Sequence, residues 1–163
     1  MVLGMDWFTL THVLISLIGI GAGLVLLLAL MGGRNPDNWA ALFLIFTILT
    51  SVTGYFFKRD HILPSHIVGA VSLIGLALAV YALYGRGLSG GWRGTYVVTV
   101  AFTLYLNIFV LVIQLFLKVP PLHAIAPGNP PSGPVFAITQ LIVLVAMVVG
   151  GWISWRSFKP LKF

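Results

Sequence analysis

Residues 8–31 read FTLTHVLISLIGIGAGLVLLLALM, a run without a single charged side chain. A helix that crosses the hydrocarbon core of a bilayer needs about 20 predominantly apolar residues. Four further stretches have the same character, at 39–57, 65–84, 95–117 and 135–155. The pattern predicts an all-α integral membrane protein, built as a bundle of five transmembrane helices.

The composition supports a membrane protein of one domain. The chain has 163 residues, of which 60% are hydrophobic and only 7% charged, whereas soluble domains carry about 25% charged residues. A water-soluble fold could not bury so much apolar surface, so residues 1–163 are predicted to form a single transmembrane domain with the lipid bilayer as its partner. The absence of cysteine excludes disulfides, thiolate metal sites and a cysteine nucleophile. With only three carboxylates, a carboxylate proton relay is not expected.

The basic residues are spaced singly between the apolar spans, which indicates membrane topology rather than nucleic-acid binding. One side of the five spans receives six of them, and the other side receives three: Arg34, Arg86, Arg93, Arg156, Lys159 and Lys162 against Lys58, Arg59 and Lys118. Lys and Arg are enriched in cytoplasmic loops. This asymmetry predicts a protein of the bacterial inner membrane with its N-terminus outside and its C-terminus in the cytoplasm.

With that topology, all four histidines lie in the outer half of the bundle or in the outer loops. His12 and His66 each occur early in a helix that starts on the outer side, so they are expected at the same depth. Gln114, near the end of the fourth helix, and Gln140, near the start of the fifth, are expected at a similar depth. The outer half of the bundle is therefore predicted to be polar.

An internal similarity relates the helices that begin on the outer side. Thr11-His12-Val13 opens the first helix, Ser65-His66-Ile67 opens the third, and Thr139-Gln140-Leu141 opens the fifth. The first and the third helix are each followed by a Gly-rich loop with arginine and then tryptophan. The similarity predicts two tandem helical hairpins plus one further helix, as in parallel transporter repeats. Chance similarity between apolar segments is the alternative.

The histidines are the candidate site residues, because neutral imidazole is the commonest metal ligand. His12 and His66 could ligate a haem b iron, or hold a copper or zinc ion together with His61 or His123. Gln140 and Gln114 are the predicted neighbours of such a cofactor. The alternative is that each imidazole simply forms a hydrogen bond with a neighbouring helix or water. No catalytic residue is identified, and whether the protein is an enzyme stays open.

Three functions follow from these alternatives. The first is a small multi-pass protein with a histidine-ligated cofactor in its outer half, in electron transfer or metal handling. The second is a non-catalytic accessory subunit that packs against a larger membrane complex or forms a homo-oligomer. The third is a small-molecule carrier or channel, in which the polar outer half is a vestibule.

The orientation can be tested by labelling, because the chain contains no cysteine of its own. A cysteine introduced at Ser89 should resist a membrane-impermeant thiol reagent in intact cells, whereas one at Ser132 should react. Lysed cells provide the control that both thiols are accessible. The reverse labelling would overturn the orientation and, with it, the outer location of the histidines.

Overall fold

The computed structural model describes residues 6–35, 37–57 and 64–159, with residues 64 and 65 described by their backbone alone. Five helices in this part of the chain are long and apolar enough to cross a membrane, which confirms the all-α membrane bundle. The helices of the described ranges are α1 Trp7–Met31, α2 Asp37–Gly54, α3 Pro64–Val80, α4 Trp92–Lys118, α5 Pro120–Ile125 and α6 Pro134–Ser157. A π-helical turn, Tyr81–Gly85, continues α3.

Local chemistry explains how several helices begin and end. The Asp6 carboxylate accepts a hydrogen bond from the Thr9 backbone N–H at 2.7 Å, which caps α1 and lowers the pKa of Asp6. A proline lies in the first turn of α6, where its missing N–H costs nothing. Helix α2 ends at Gly54, three residues earlier than predicted, and 55–57 continue as a turn. Helix α4 begins three residues earlier than predicted, at Trp92.

The five long helices form a closed ring. Neighbours in the ring are α1–α2, α2–α3, α3–α4, α4–α6 and α6–α1, and α1 also touches α4 across the centre. The pairs α1–α2 and α3–α4 are therefore in contact, as two tandem hairpins require, and α6 packs on both α1 and α4. Rotational superposition of one hairpin on the other stays a prediction.

The apolar core is concentrated at one end of the ring. It includes the fully buried side chains of Leu26, Leu30, Phe43, Tyr96 and Leu104. These residues come from the second half of α1 and the first halves of α2 and α4, so the core lies towards the end where the α1–α2 connection is made. A second and smaller apolar cluster, around Val112 and Phe116, lies near the opposite end of α4.

Arginine side chains join separate segments at the core end, which we call the arginine end. Arg93, near the start of α4, donates hydrogen bonds to the carbonyl oxygens of Trp155 and Phe158, both at 2.6 Å. Three guanidinium groups lie over indole rings, in the pairs Arg86–Trp92, Arg93–Trp155 and Arg156–Trp152. Such cation–π contacts are worth about 0.5–1 kcal/mol each at exposed sites. The start of α4 and the end of α6 are thereby held together.

A glycine allows α1 to approach its neighbours closely near the centre of the core. A Cβ atom added at Gly23 would lie 2.7 Å from Leu104 Cδ1 and 2.7 Å from Phe43 Cδ2. Both neighbours are fully buried, so an added methyl group would force one of these core side chains to shift. Close helix packing on small residues is a principal source of stability in membrane bundles. Gly21, two residues earlier and on the opposite face of α1, has nothing within 4 Å of the corresponding position.

We expect Gly23→Ala to lower the free energy of unfolding by about 1–3 kcal/mol, the usual cost of adding a methyl group to a filled core. Gly21→Ala is the matched control and should leave stability unchanged or slightly higher. Thermal unfolding of the purified variants in detergent measures both effects. Equal stability of the two variants would contradict the close packing of α1 on Phe43 and Leu104.

Candidate functional site

A small polar cavity lies towards the end of the bundle opposite the arginine end. Its volume is about 100 Å³, which is room for about three water molecules at 30 Å³ each. We call it the histidine cavity. Each of the first four helices contributes polar side chains to its wall, namely His12 from α1, Thr50 and Ser51 from α2, His66 and Ser72 from α3, and Asn107 from α4.

The His12 ring is fixed by a side chain of α2. Its Nδ1 atom lies 2.7 Å from Thr53 Oγ1. The edge of the imidazole also meets the ring of Phe57, with centroids 5.0 Å apart and planes at 89°. The ring is half-buried. These two contacts determine which way the second nitrogen, Nε2, faces.

His66 lies in the first turn of α3 and is held by Tyr55, which follows α2. The two rings stack with centroids 5.4 Å apart and planes at 29°. The Tyr55 hydroxyl donates a hydrogen bond to the His66 backbone oxygen at 2.7 Å. Gly69, one turn further along α3, leaves the space for the tyrosine ring, because a Cβ there would approach Tyr55 Cε2 to 3.3 Å. Tyr55 therefore joins the end of α2 to the start of α3.

Asn107 is the polar group of α4 in the cavity wall, and its amide nitrogen is unpaired among the described residues. Its Nδ2 atom is buried and has no hydrogen-bond partner in the described part of the chain. Buried polar groups are nearly always paired, so an unpaired amide beside a cavity indicates a ligand or an ordered water. On the neighbouring walls, Ser51 Oγ donates to Ser72 Oγ at 3.3 Å.

The other predicted site residues lie elsewhere. Gln140 is buried between α6 and α4, where its Nε2 donates to the carbonyl oxygen of Phe109 at 3.2 Å. Gln114 is exposed on α4. His123 is exposed on α5, and its Nδ1 donates to the carbonyl oxygen of Phe116 at 3.2 Å. His61 lies outside the described residues. The structure thus brings together His12 and His66 of the predicted set.

Neutral groups make up the polar wall of the histidine cavity. None of its lining residues in the described ranges carries a carboxylate. Nor do the described residues include a group of three or more His, Cys, Asp or Glu side chains that could hold a metal ion. The possible metal ligands that the described residues place in this wall are imidazole nitrogens and the neutral oxygens of hydroxyl and amide groups.

Two features of the site were missed in the sequence analysis. Asn107 was not among the predicted site residues, although a carboxamide in the middle of an apolar span is a signal for a polar cavity. Tyr55 was expected to lie within α2, as one more residue of the apolar span 39–57. Its role depends on the turn after Gly54 and on the gap at Gly69, and neither follows from hydropathy.

Comparisons with protein-family models, with curated proteins and with solved structures find no match to this chain. No property of a relative is therefore carried over to it. The geometry and chemistry of the histidine cavity are the basis for assigning a function.

Proposed function

We propose that this membrane protein binds a copper-type ion between His12 and His66 and acts in metal handling. The observation that carries the proposal is that imidazoles from two different helices line one small cavity inside an apolar bundle. Imidazole is a favoured ligand of copper ions. Polar groups at membrane depth are costly, and functional sites are the usual reason for their presence.

The hydrogen bonds of Thr53 support a free ligand position on His12. Thr53 Oγ1 lies 2.7 Å from the carbonyl oxygen of Leu49 and donates its single proton there. Its lone pair is then left to accept a hydrogen bond from His12 Nδ1–H, so that a neutral His12 carries its own lone pair on Nε2. Metal-ligating histidines are typically held in this way, with the second ring nitrogen donating to a fixed acceptor.

The neutral wall favours an ion of low charge. Placing charge in a low-dielectric site is costly unless it is compensated, and the cavity's lining residues within 6–35, 37–57 and 64–159 include no carboxylate to compensate a divalent ion. Structural zinc sites also take four protein ligands, more than the two histidines supply. Monovalent copper, held by two imidazoles, fits these restrictions best. Asn107 also lines the cavity, and its amide oxygen is the one further neutral ligand that α4 could offer from this wall.

The size of the cavity favours an ion over haem b. Pockets for drug-sized ligands have volumes of roughly 300–1,000 Å³, whereas the histidine cavity has about 100 Å³. A haem would require the four helices to separate. The proposed setting is the bacterial inner membrane with the arginine end at the cytoplasm, which the grouping of Arg34, Arg86, Arg93 and Arg156 supports. The site would then bind an ion on the outer side.

We expect the purified protein to bind one copper(I) ion per chain, measured with a chromophoric copper(I) competitor in detergent under reducing conditions. His12→Ala and His66→Ala should each abolish binding, because a single remaining imidazole cannot hold the ion. His123→Ala is the matched control and should bind as the wild type does, since this exposed histidine lies on α5. X-ray absorption of the loaded protein should show nitrogen ligands.

Two results would overturn the ion site. The first is a wild-type protein that binds no copper, or binds it equally well in all three histidine variants. The second is a Soret band with stoichiometric haem. If no cofactor of either kind is bound and the protein co-purifies with other membrane subunits, the accessory role replaces the proposal.

The hydrogen bond from His12 to Thr53 provides a subtler test. Thr53→Val keeps the volume but removes the acceptor, and we expect copper(I) affinity to fall by about 10- to 100-fold, as for other partners of ligating histidines. Thr139→Val on α6 is the control, because it too removes only a hydroxyl that bonds to the carbonyl four residues earlier. Equal affinity of the two variants would mean that Thr53 does not position His12.

A further inference from the structure

A second cavity lies at the arginine end, far from the histidines. It has a volume of about 450 Å³ and lies where α1 ends and α2 begins. The last turns of α1, the following loop and the first turn of α2 form its wall. The lining residues are Val25, Leu28, Ala29, Arg34, Asn35 and Trp39.

The polar part of this wall consists of hydrogen-bond donors. The Tyr96 hydroxyl donates to Asn35 Oδ1 at 3.0 Å, which occupies the amide oxygen and leaves the Nδ2 hydrogens of Asn35 available. The indole of Trp39 is a donor only, and the guanidinium of Arg34 has five N–H donors and no acceptor. Such a set of donors is suited to the oxygens of an anion.

Arg34 differs from the other arginines of the described residues. Arg86, Arg93 and Arg156 each lie over a tryptophan ring. No such ring contact or ion pair involves Arg34 within the described ranges, although Asp37 begins α2 nearby. Its side chain is exposed and lines the cavity. Arg34 thus has its charge available for a ligand.

The apolar part of the wall faces the membrane. Leu28 is 65% exposed and Val25 is 39% exposed, and both lie within the α1 span. Arg34 follows the end of that span by three residues, which places its charge at the level where lipid headgroups meet the hydrocarbon. A groove of apolar side chains therefore leads from the hydrocarbon to a cluster of donors with one positive charge.

We propose that this cavity binds an anionic glycerophospholipid, with the phosphate at Arg34, Asn35 and Trp39 and an acyl chain along Val25 and Leu28. The volume lies in the range of roughly 300–1,000 Å³ that is usual for pockets of organic ligands. Basic pockets at the ends of transmembrane helices bind the headgroups of anionic lipids. The site is separate from the histidine cavity and does not depend on the function proposed for it.

The test compares lipids and variants by native mass spectrometry of protein reconstituted in nanodiscs. With mixed phosphatidylglycerol and phosphatidylcholine, the wild type should retain one phosphatidylglycerol molecule per chain after release. Arg34→Gln should weaken its retention by about fivefold or more, the effect of losing one basic residue near the headgroups. Arg86→Gln is the matched control and should retain the lipid, because Arg86 stacks on Trp92 outside the cavity.

A second variant changes no charged residue. It tests the site independently, in case Arg34→Gln impairs folding. Leu28→Trp should fill the exposed groove and lower phosphatidylglycerol retention while leaving the thermal unfolding of lipid-free protein unchanged. Equal losses in Arg34→Gln and Arg86→Gln would overturn the site in favour of general attraction by the arginine end. Retention of phosphatidylcholine as strongly as phosphatidylglycerol would also overturn it. So would competition by millimolar inorganic phosphate, which would indicate an anion site without lipid specificity.

Discussion

Polar groups inside hydrocarbon must find their hydrogen-bond partners within the protein, and most features of this structure follow from that constraint. Helix formation pairs the backbone N–H and C=O groups with one another. Several hydroxyl side chains find a partner within their own helix, as Thr50, Thr103 and Ser154 do by donating to the carbonyl four residues earlier. Imidazole and carboxamide groups cannot be satisfied so locally, so they depend on another helix or on a ligand. His12 and Asn107 are of this second kind.

The two ends of the bundle differ in how firmly they are packed. The main apolar core and the arginine contacts lie at one end, whereas the histidine cavity lies towards the other, beside a smaller apolar cluster. Regions with few buried apolar contacts open at lower free energy than core regions. The cavity therefore lies in the part of the bundle where helices separate most easily.

Depth along the membrane could be read from the sequence, but the direction in which each side chain faces could not. His12 and His66, which were expected at the same depth, line one cavity. The same reasoning does not hold for Gln140, because α6 packs on α1 and α4 and lies away from the α2–α3 side of the ring, where the cavity is. Gln114 lies two turns beyond Asn107, about 10 Å further along α4. The five spans themselves were predictable because charged residues are absent from them.

The contacts of Arg93 have a consequence for the order in which the protein assembles. During synthesis α6 leaves the ribosome after α1 to α4, and the described walls of the histidine cavity come from α1 to α4. The cavity can therefore be complete before α6 enters the membrane. When α6 packs, Arg93 at the start of α4 donates hydrogen bonds to the carbonyl oxygens of Trp155 and Phe158. Helix α6, which packs on both α1 and α4, is thus the element that closes the ring after the walls of the cavity have been made.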